Sequence, residues 1–488
     1  MGKKNRQRQA VARTTRDTGQ QMLDSAFESL WADIDSGDVL DAEIDTAVLL
    51  SLPVTAGADP DEAREYLGAL VRNAAVRQPT STGATCLRIM AALGQADVKR
   101  VAGRELGELS ARGIFAHEWA TDAGKPVPRR AWRSYDVFGD GEFIAITFGY
   151  GDAEHAVLAT VNRASTPLVT RMAVVSDAAK AIDTIRNVPD PLSRQEEISL
   201  AEARTRLEEP LTLAAGNPLR DLEPESISFL PLVRSRIRRL PAGGRAQVTF
   251  TAADRAAAVT EFLASPHAAE AGDPGVARFW AEVLTAYSGR VPDEPPFQVG
   301  PGKLAAALLT HVAGTFTLSR EQRGGLEPAV TGWSRWAAER QGLDEAAVTH
   351  LLAELPSILT DFDESYADPY YVSTRAYLRD AVASDTEMAA VDDIVARRDF
   401  AAPYPDEREE SLASVDATTP DGRALLVTAE FAHCNPDPAL SKTFIAGVTA
   451  VVEELWRGEP SSTWEAAKTL IDEGNSRHDI LHTLAAKR

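Results

Sequence analysis

Ser134-Tyr-Asp-Val-Phe-Gly-Asp-Gly-Glu-Phe-Ile-Ala-Ile-Thr-Phe-Gly-Tyr-Gly-Asp-Ala-Glu-His-Ala-Val-Leu-Ala-Thr-Val-Asn162 is where the hydrophobic period of this chain changes from 3.6 to 2. Its β-branched and aromatic runs read as strands over Ser134–Phe138, Glu142–Tyr150 and Glu154–Asn162, and a fourth follows over Leu168–Val175. Gly139-Asp140-Gly141 and Gly151-Asp152 fall where hairpin turns would, because glycine and aspartate accept the backbone that tight turns need. Consecutive strands with short turns make an antiparallel meander. Ser176–Arg186, back at helical spacing, is expected to lie across one face of it. His155, at the mouth of the second turn, reads as a satisfied or exposed strand histidine.

Outside this stretch the three-four spacing of helices dominates. Leu23, Phe27, Leu30, Trp31 and Ile34 form one stripe that Gly37 stops, and Leu40, Ile44, Ala47 and Val48 form the next. Asp59-Pro60-Asp61-Glu62 supplies an N-cap, a proline at the first helical position and a capping-box glutamate ahead of Tyr66, Leu67, Leu70 and Val71. Residues 187–250 are mixed: Ser199 with Glu202 opens a helix, and Val233, Ile237 and Leu240 suit another whose remaining faces display Arg234, Arg236, Arg238, Arg239 and Arg245. Pro292, Pro295, Pro296 and Pro301 leave no room for a helix between two helical stretches. Trp464, Ala467, Leu470 and Ile471 head the last turns before the C-terminus, with Ser462 and Glu465 as their cap. The expected organisation is a basic arm over 1–18, a helical domain over 19–120, the meander and its helix over 121–190, a mixed and mainly helical region over 191–300, and a helical C-terminal domain over 301–488. The fold class is α+β, predominantly α-helical, with antiparallel helical stacks and one inserted antiparallel β-meander.

Composition narrows the function classes. With 44% hydrophobic and 25% charged residues the 488-residue chain has an ordinary globular balance. Its only cysteines, Cys86 and Cys434, lie far apart, so no disulfide framework or cysteine-based zinc module is encoded, and a reducing cytoplasm is the expected setting. The N-terminus lacks an apolar leader core, and no run of about 18 apolar residues occurs, which argues against export and membrane spanning. Net charge is −21, yet Lys3, Lys4, Arg6, Arg8, Arg13 and Arg16 face Asp17 alone, a local +5 that leaves −26 on the rest. Such an apolar-poor arm is expected to be disordered. It and the Arg234–Arg245 island could touch nucleic acid, but the acidic body would repel a polyanion.

Motif searches mostly exclude. Val299-Gly-Pro-Gly-Lys303-Leu304 lacks the first glycine and the hydroxyl of a phosphate loop, and Gly332-Trp-Ser334-Arg-Trp336 lacks the closing glycine of a nucleophile elbow. No G-x-G-x-x-G follows a strand. Asp361-Phe-Asp363-Glu364 with Asp368 reads as a solvated acidic turn, without the glycine and spacing of a calcium loop. His311 reads as a residue at the edge of an apolar stripe.

The cluster richest in chemistry is Glu473-Gly-Asn-Ser-Arg-His-Asp-Ile-Leu-His482. A helix puts His478 and His482 one turn apart on one face, as a metal pair requires, with His433 or Cys434 as further ligands. The same residues also make a capped terminal helix. Ser476 and Asp479 form the capping box, Ile480, Leu481 and Leu484 the apolar stripe, and the imidazoles point away from the packed face.

Four stretches, Ser134–Asp140 with Phe148–Val157, Thr260–Pro266, Pro301–Lys303 with Trp333–Ala337, and Trp464–Ala467 with Gly474–His482, resemble a group of long actinobacterial proteins of unknown function. The resemblance implies an architecture and no site. Helical stacks present broad surfaces and few convergent polar groups, so the leading expectation is a non-catalytic interaction or regulatory scaffold with a protein partner and no cofactor. The alternatives are a zinc-dependent hydrolase built on His478 and His482, and nucleic-acid binding through residues 1–18.

Overall fold

The computed structural model describes residues 27–56, 60–74, 79–187, 190–216, 218–244, 248–288, 293–368, 370–372, 374–375, 388–402, 412, 415–417, 419–431, 438–472 and 475–486. The protein is mostly helical, with one five-stranded antiparallel sheet of consecutive hairpins inserted. It divides into two compact units. The first is Met1–Asp136, Gly141–Asn162 and Pro167–Ala246, and the second is Val137–Asp140, Arg163–Thr166 and Gln247–Arg488. The expected arm, residues 1–18, lies outside the described residues.

Helices α1 (27–36), α2 (Val39–Thr55), α3 (Pro60–Arg72), α4 (Ser81–Leu93) and α5 (Ala96–Ala111) open the first unit. Each boundary has a local cause. Asp38 accepts the backbone N–H groups of Leu40 and Asp41 to start α2, and Thr80 accepts from Gly83 to start α4. Gly37 adopts a left-handed backbone, φ 82°, to end α1. Asp59, expected to cap α3, lies outside the described residues, but Pro60 does open that helix.

The sheet runs in the order β4-β3-β2-β1-β5, with β1 Val127–Asp136, β2 Gly141–Tyr150, β3 Ala153–Asn162, β4 Leu168–Val175 and β5 Ser193–Ile198. Residues 144–149 of β2 are all buried, and since neighbours on a strand point to opposite faces, both faces of the sheet are covered there. Helix α6 (Ala178–Arg186) packs on β1, β2 and β3, as its spacing predicts, with the Arg186 guanidinium 5.0 Å from the centre of the Trp132 ring. Helix α7 (Leu200–Ala214) packs on β1, β2 and β4.

Two features of the sheet depart from the sequence reading. β1 begins at Val127, seven residues before Ser134, because a register shift between Pro128 and Ala131 lets a proline and two arginines join a strand they would otherwise disrupt. β5 has no apolar alternation and pairs through charge: Arg133 faces Glu196 across the ladder at 3.1 Å, and Arg130 lies 3.7 Å from Glu197. Arg133 also holds the buried Glu142 carboxylate at 2.6 Å, which Arg206 of α7 reaches at 3.2 Å. Helix α8 (Leu230–Ile237) completes the first unit, and Ile144, Phe148, Leu30, Leu87 and Leu232 share one apolar core.

In the second unit α9 (Ala252–Leu263), α10 (Pro274–Ser288), α11 (Leu326–Gln341) and α12 (Glu345–Ala367) surround Phe262 and Trp333, whose rings meet edge to face at 5.2 Å. Between α10 and α11, Pro301–Ala305, Ala306–Val312 and Ala313–Thr315 run on as one helix whose middle stretch is wound as π. His311, on that stretch, is buried and meets the rings of Tyr287 and Phe316. Asp361, Asp363 and Glu364 belong to the last turns of α12 rather than to a turn, and Asp363 pairs with Arg323 at 2.7 Å.

The C-terminal helices α13 (Met388–Ala401), α14 (Pro420–Phe431), α15 (Pro438–Arg457), α16 (Ser461–Asp472) and α17 (Arg477–Ala486) enclose a core of Phe431, Val448, Val451, Leu455, Trp464 and Ile480. Trp464 is 6% exposed, and its indole N–H donates to Asp393 at 2.8 Å. His478 stacks on Phe431 with ring centres 4.3 Å apart, a gentler anchor than a buried indole. Trp464→Ala should lower stability by about 3–5 kcal/mol, and His478→Ala by about 1–2 kcal/mol, in denaturant titrations of the full chain. Equal losses would show that the terminal helix depends on the imidazole as much as on the indole.

An arginine-rimmed cleft as the candidate functional site

Two helices of the first unit are joined by an ion pair cut off from solvent. Glu43 of α2 and Arg236 of α8 are each 0% exposed, and the guanidinium Nη2 donates to Glu43 Oε2. Glu43 Oε1 accepts the backbone N–H of Gly124 at 2.5 Å and the Tyr150 hydroxyl at 2.8 Å. Arg236 Nε donates to His155 Nε2 at 3.1 Å, and the imidazole lies between the rings of Phe148 and Tyr150, 5.8 Å from each. An acceptor at Nε2 requires a neutral ring with its proton on Nδ1. Burial, then the neighbouring guanidinium, push the His155 pKa down to about 3. Burial and the Glu43 charge raise that of the Tyr150 hydroxyl. Arg236 Nη1 is buried without a hydrogen-bond partner.

Arg236 is two residues from both Arg234 and Arg238, so a helix that turns Arg236 inward turns those two to the other side. There they join a cavity of about 730 Å³ walled by α2, α3, α5 and α8. Its lining includes Val54, Leu67, Val71, Val98, Val101 and Leu230, and all are buried or half-buried. Around this apolar surface stand six arginines, two from each of three helices: Arg64 and Arg72, Arg100 and Arg104, Arg234 and Arg238. The pairs lie one or two turns apart on one face of each helix. Asp97 is the only carboxylate among the described lining residues, and it sits 3.0 Å from Arg100. Gly68 leaves an opening on α3, since a Cβ there would meet only the Arg72 guanidinium, at 3.2 Å.

The Arg234–Arg245 island is therefore not one solvated basic face. Arg236 is withdrawn into the core, Arg234 and Arg238 serve the cleft, and Arg245 lies outside the described residues. Sequence reading missed both the network and the cleft. Glu43 does leave a trace, since it is a carboxylate in register with Ala47 and Leu50 on an apolar helix face.

The terminal histidines differ from each other in placement. His478 is half-buried and stacks on Phe431, whereas His482 stays exposed, as expected, with its ring centre 4.7 Å from that of Phe444. A stripe taken from Ile480, Leu481 and Leu484 counts aliphatic residues only, whereas imidazoles also pack on aromatic neighbours. The cap forms, with Asp479 N–H donating to the Ser476 hydroxyl at 3.1 Å, and that hydroxyl donating back to the Asp479 carboxylate at 2.8 Å. Among the described residues no group of three or more His, Cys, Asp or Glu side chains could hold a metal ion, and His433 and Cys434 lie outside them. In the second unit, the loop that resembles a phosphate cradle is filled by the chain itself. Asp140 accepts the backbone N–H groups of Gly302 and Lys303 at 2.7 and 3.2 Å, and Lys303 Nζ pairs with Glu294, whose pKa burial pushes up to about 7.

Comparison of the chain with protein-family models, with curated proteins and with solved structures finds no match. Among the described residues no helix is long and apolar enough to cross a membrane.

Two measurements test the network. Arg236→Met leaves Glu43 buried and uncompensated and should cost about 3–5 kcal/mol, while Glu43→Leu/Arg236→Met should cost less than the two single changes together. Additive losses in denaturant unfolding would show that the pair is not coupled. For His155 the folded pKa lies below the unfolded one, so stability is full above pH 6.5 and falls as the unfolded ring takes up a proton that the folded ring refuses. The slope contributed is about 1.4 kcal/mol per pH unit between pH 6 and 4. His155→Gln, which keeps an acceptor for Arg236 Nε, should remove that part of the acid slope, and an unchanged slope would place the titration elsewhere.

Proposed function

We propose that this protein is a non-catalytic interaction or regulatory protein of the cytoplasm, and that the cleft of the first unit is where it receives its partner. One observation carries the reading: an apolar hollow with six arginines and one carboxylate at its edge, in a chain of net charge −21. Concave apolar surface with a few convergent charges is how binding sites are made. The described lining residues are mainly aliphatic side chains and arginines, a composition suited to holding a ligand. The charge required of the partner is negative. Distant carboxylates of the chain are screened within about 8 Å at physiological salt, so the local excess of arginine governs what enters.

The experiment is to purify the full chain and Gly68→Leu from the source cell and compare everything that accompanies them, proteins and organic extracts alike, by mass spectrometry. Leucine at 68 narrows the cleft, its Cβ meets the flexible Arg72 guanidinium first, and it favours the helix by about 0.8 kcal/mol, so the variant should fold. At least one companion of the parent chain should be missing from the variant. Identical sets from the two proteins would remove the cleft from the function.

A further inference from the structure

Resting on the reading of the cleft as a binding site, we infer that its occupant is a small amphiphilic anion, an acyl-type hydrocarbon chain ending in a phosphate or carboxylate head. Size is the first ground. About 730 Å³ falls within the range of cavities that take ligands of drug size. The second ground is depth. Val71 at 1% exposure, Leu93 at 4% and Val98 at 6% belong both to the lining and to the apolar core, so the cleft runs from the rim down to core side chains. Methylene groups placed there leave water for a largely apolar surface, at about 0.8 kcal/mol each.

The third ground is the character of the rim. Guanidinium groups bind phosphate and carboxylate in a planar, two-pronged manner and are less strongly hydrated than ammonium, and the rim uses arginine six times and lysine never. Arg234 has no carboxylate partner among the described residues, and both its burial and the nearby Arg238 charge disfavour its ionised form. Two like charges held together at the edge of an apolar hollow are relieved by an anion. A head bearing one or two negative charges supplies it, and the chain behind the head supplies the affinity. An uncharged lipid would leave the arginines as they are, and a hydrophilic anion would leave the hollow wet.

The test uses the full chain with cis-parinarate, a fluorescent eighteen-carbon carboxylate, and with decanoate, decyl phosphate and decanol as competitors. One parinarate should bind per chain, with both anions displacing it at least tenfold more effectively than decanol. The tighter of the two anions names the head group, and either order supports the inference. Arg234→Gln/Arg238→Gln should weaken parinarate at least tenfold with the melting temperature unchanged, and Gly68→Leu should weaken binding while still unfolding cooperatively. Equal displacement by decanol, undiminished binding by Gly68→Leu, or no binding by the parent chain would each overturn the inference. A protein companion lost with Gly68→Leu in the source cell, together with no parinarate binding, would leave the cleft as a docking site and reject only the small amphiphile.

Discussion

The ion pair between Glu43 and Arg236 is the constraint on which the first unit's arrangement turns. Neither side chain touches solvent, so neither charge can be hydrated, and each is tolerable only because the other is fixed against it. That requirement ties α2 to α8 across nearly two hundred residues of sequence and draws in Gly124, Tyr150 and His155, from the approach to the sheet and from two of its strands. An apolar pair of the same volume would hold the helices together without dictating their rotation. A guanidinium with directional donors does dictate it, and with Arg236 turned inward Arg234 and Arg238 have one direction left.

The cleft is thus a consequence of packing as much as a feature of its own lining. Its charge is unusual for this chain, which is acidic in composition, and it arises because three helices each contribute arginines at helical spacing to one opening. Several buried cations of the described residues are satisfied internally. Arg133 and Arg206 share Glu142, Arg423 meets Glu453 at 2.6 Å, and Lys303 takes Glu294. At the cleft the protein supplies part of the counter-charge, with Arg100 3.0 Å from Asp97 and Arg104 2.9 Å from Glu105, yet six arginines gather round one apolar hollow and Arg234 has no carboxylate partner among the described residues.

The second unit makes the complementary point. Its phosphate-loop resemblance is satisfied by Asp140, its terminal histidines are spent on Phe431 and Phe444, and its acidic run is wound into α12. Each of these stretches looked chemical in sequence because residue type was visible and surroundings were not. Once the surroundings are known, Asp140, Ser476 and Asp479 act in caps, His478 in a ring contact, and Lys303 and Asp363 in ion pairs.

What the sequence by itself determined is the part governed by local rules. Hydrophobic period separates the helices from β2, β3 and β4, glycine and aspartate mark the hairpin turns, and Ser199, Asp38 and Ser476 start helices because their side chains reach backbone donors two or three residues away. The start of β1 and the whole of β5 escaped because a bulge carries one past a proline and cross-strand charge pairs hold the other, and neither leaves a periodic apolar signal. The candidate site was legible only as scattered arginine pairs and one carboxylate on an apolar stripe. Tertiary structure alone decided that Glu43 meets Arg236 and that Arg64, Arg100 and Arg234 edge the same hollow. Burial and convergence are properties of residues far apart in the chain, and no local pattern encodes them.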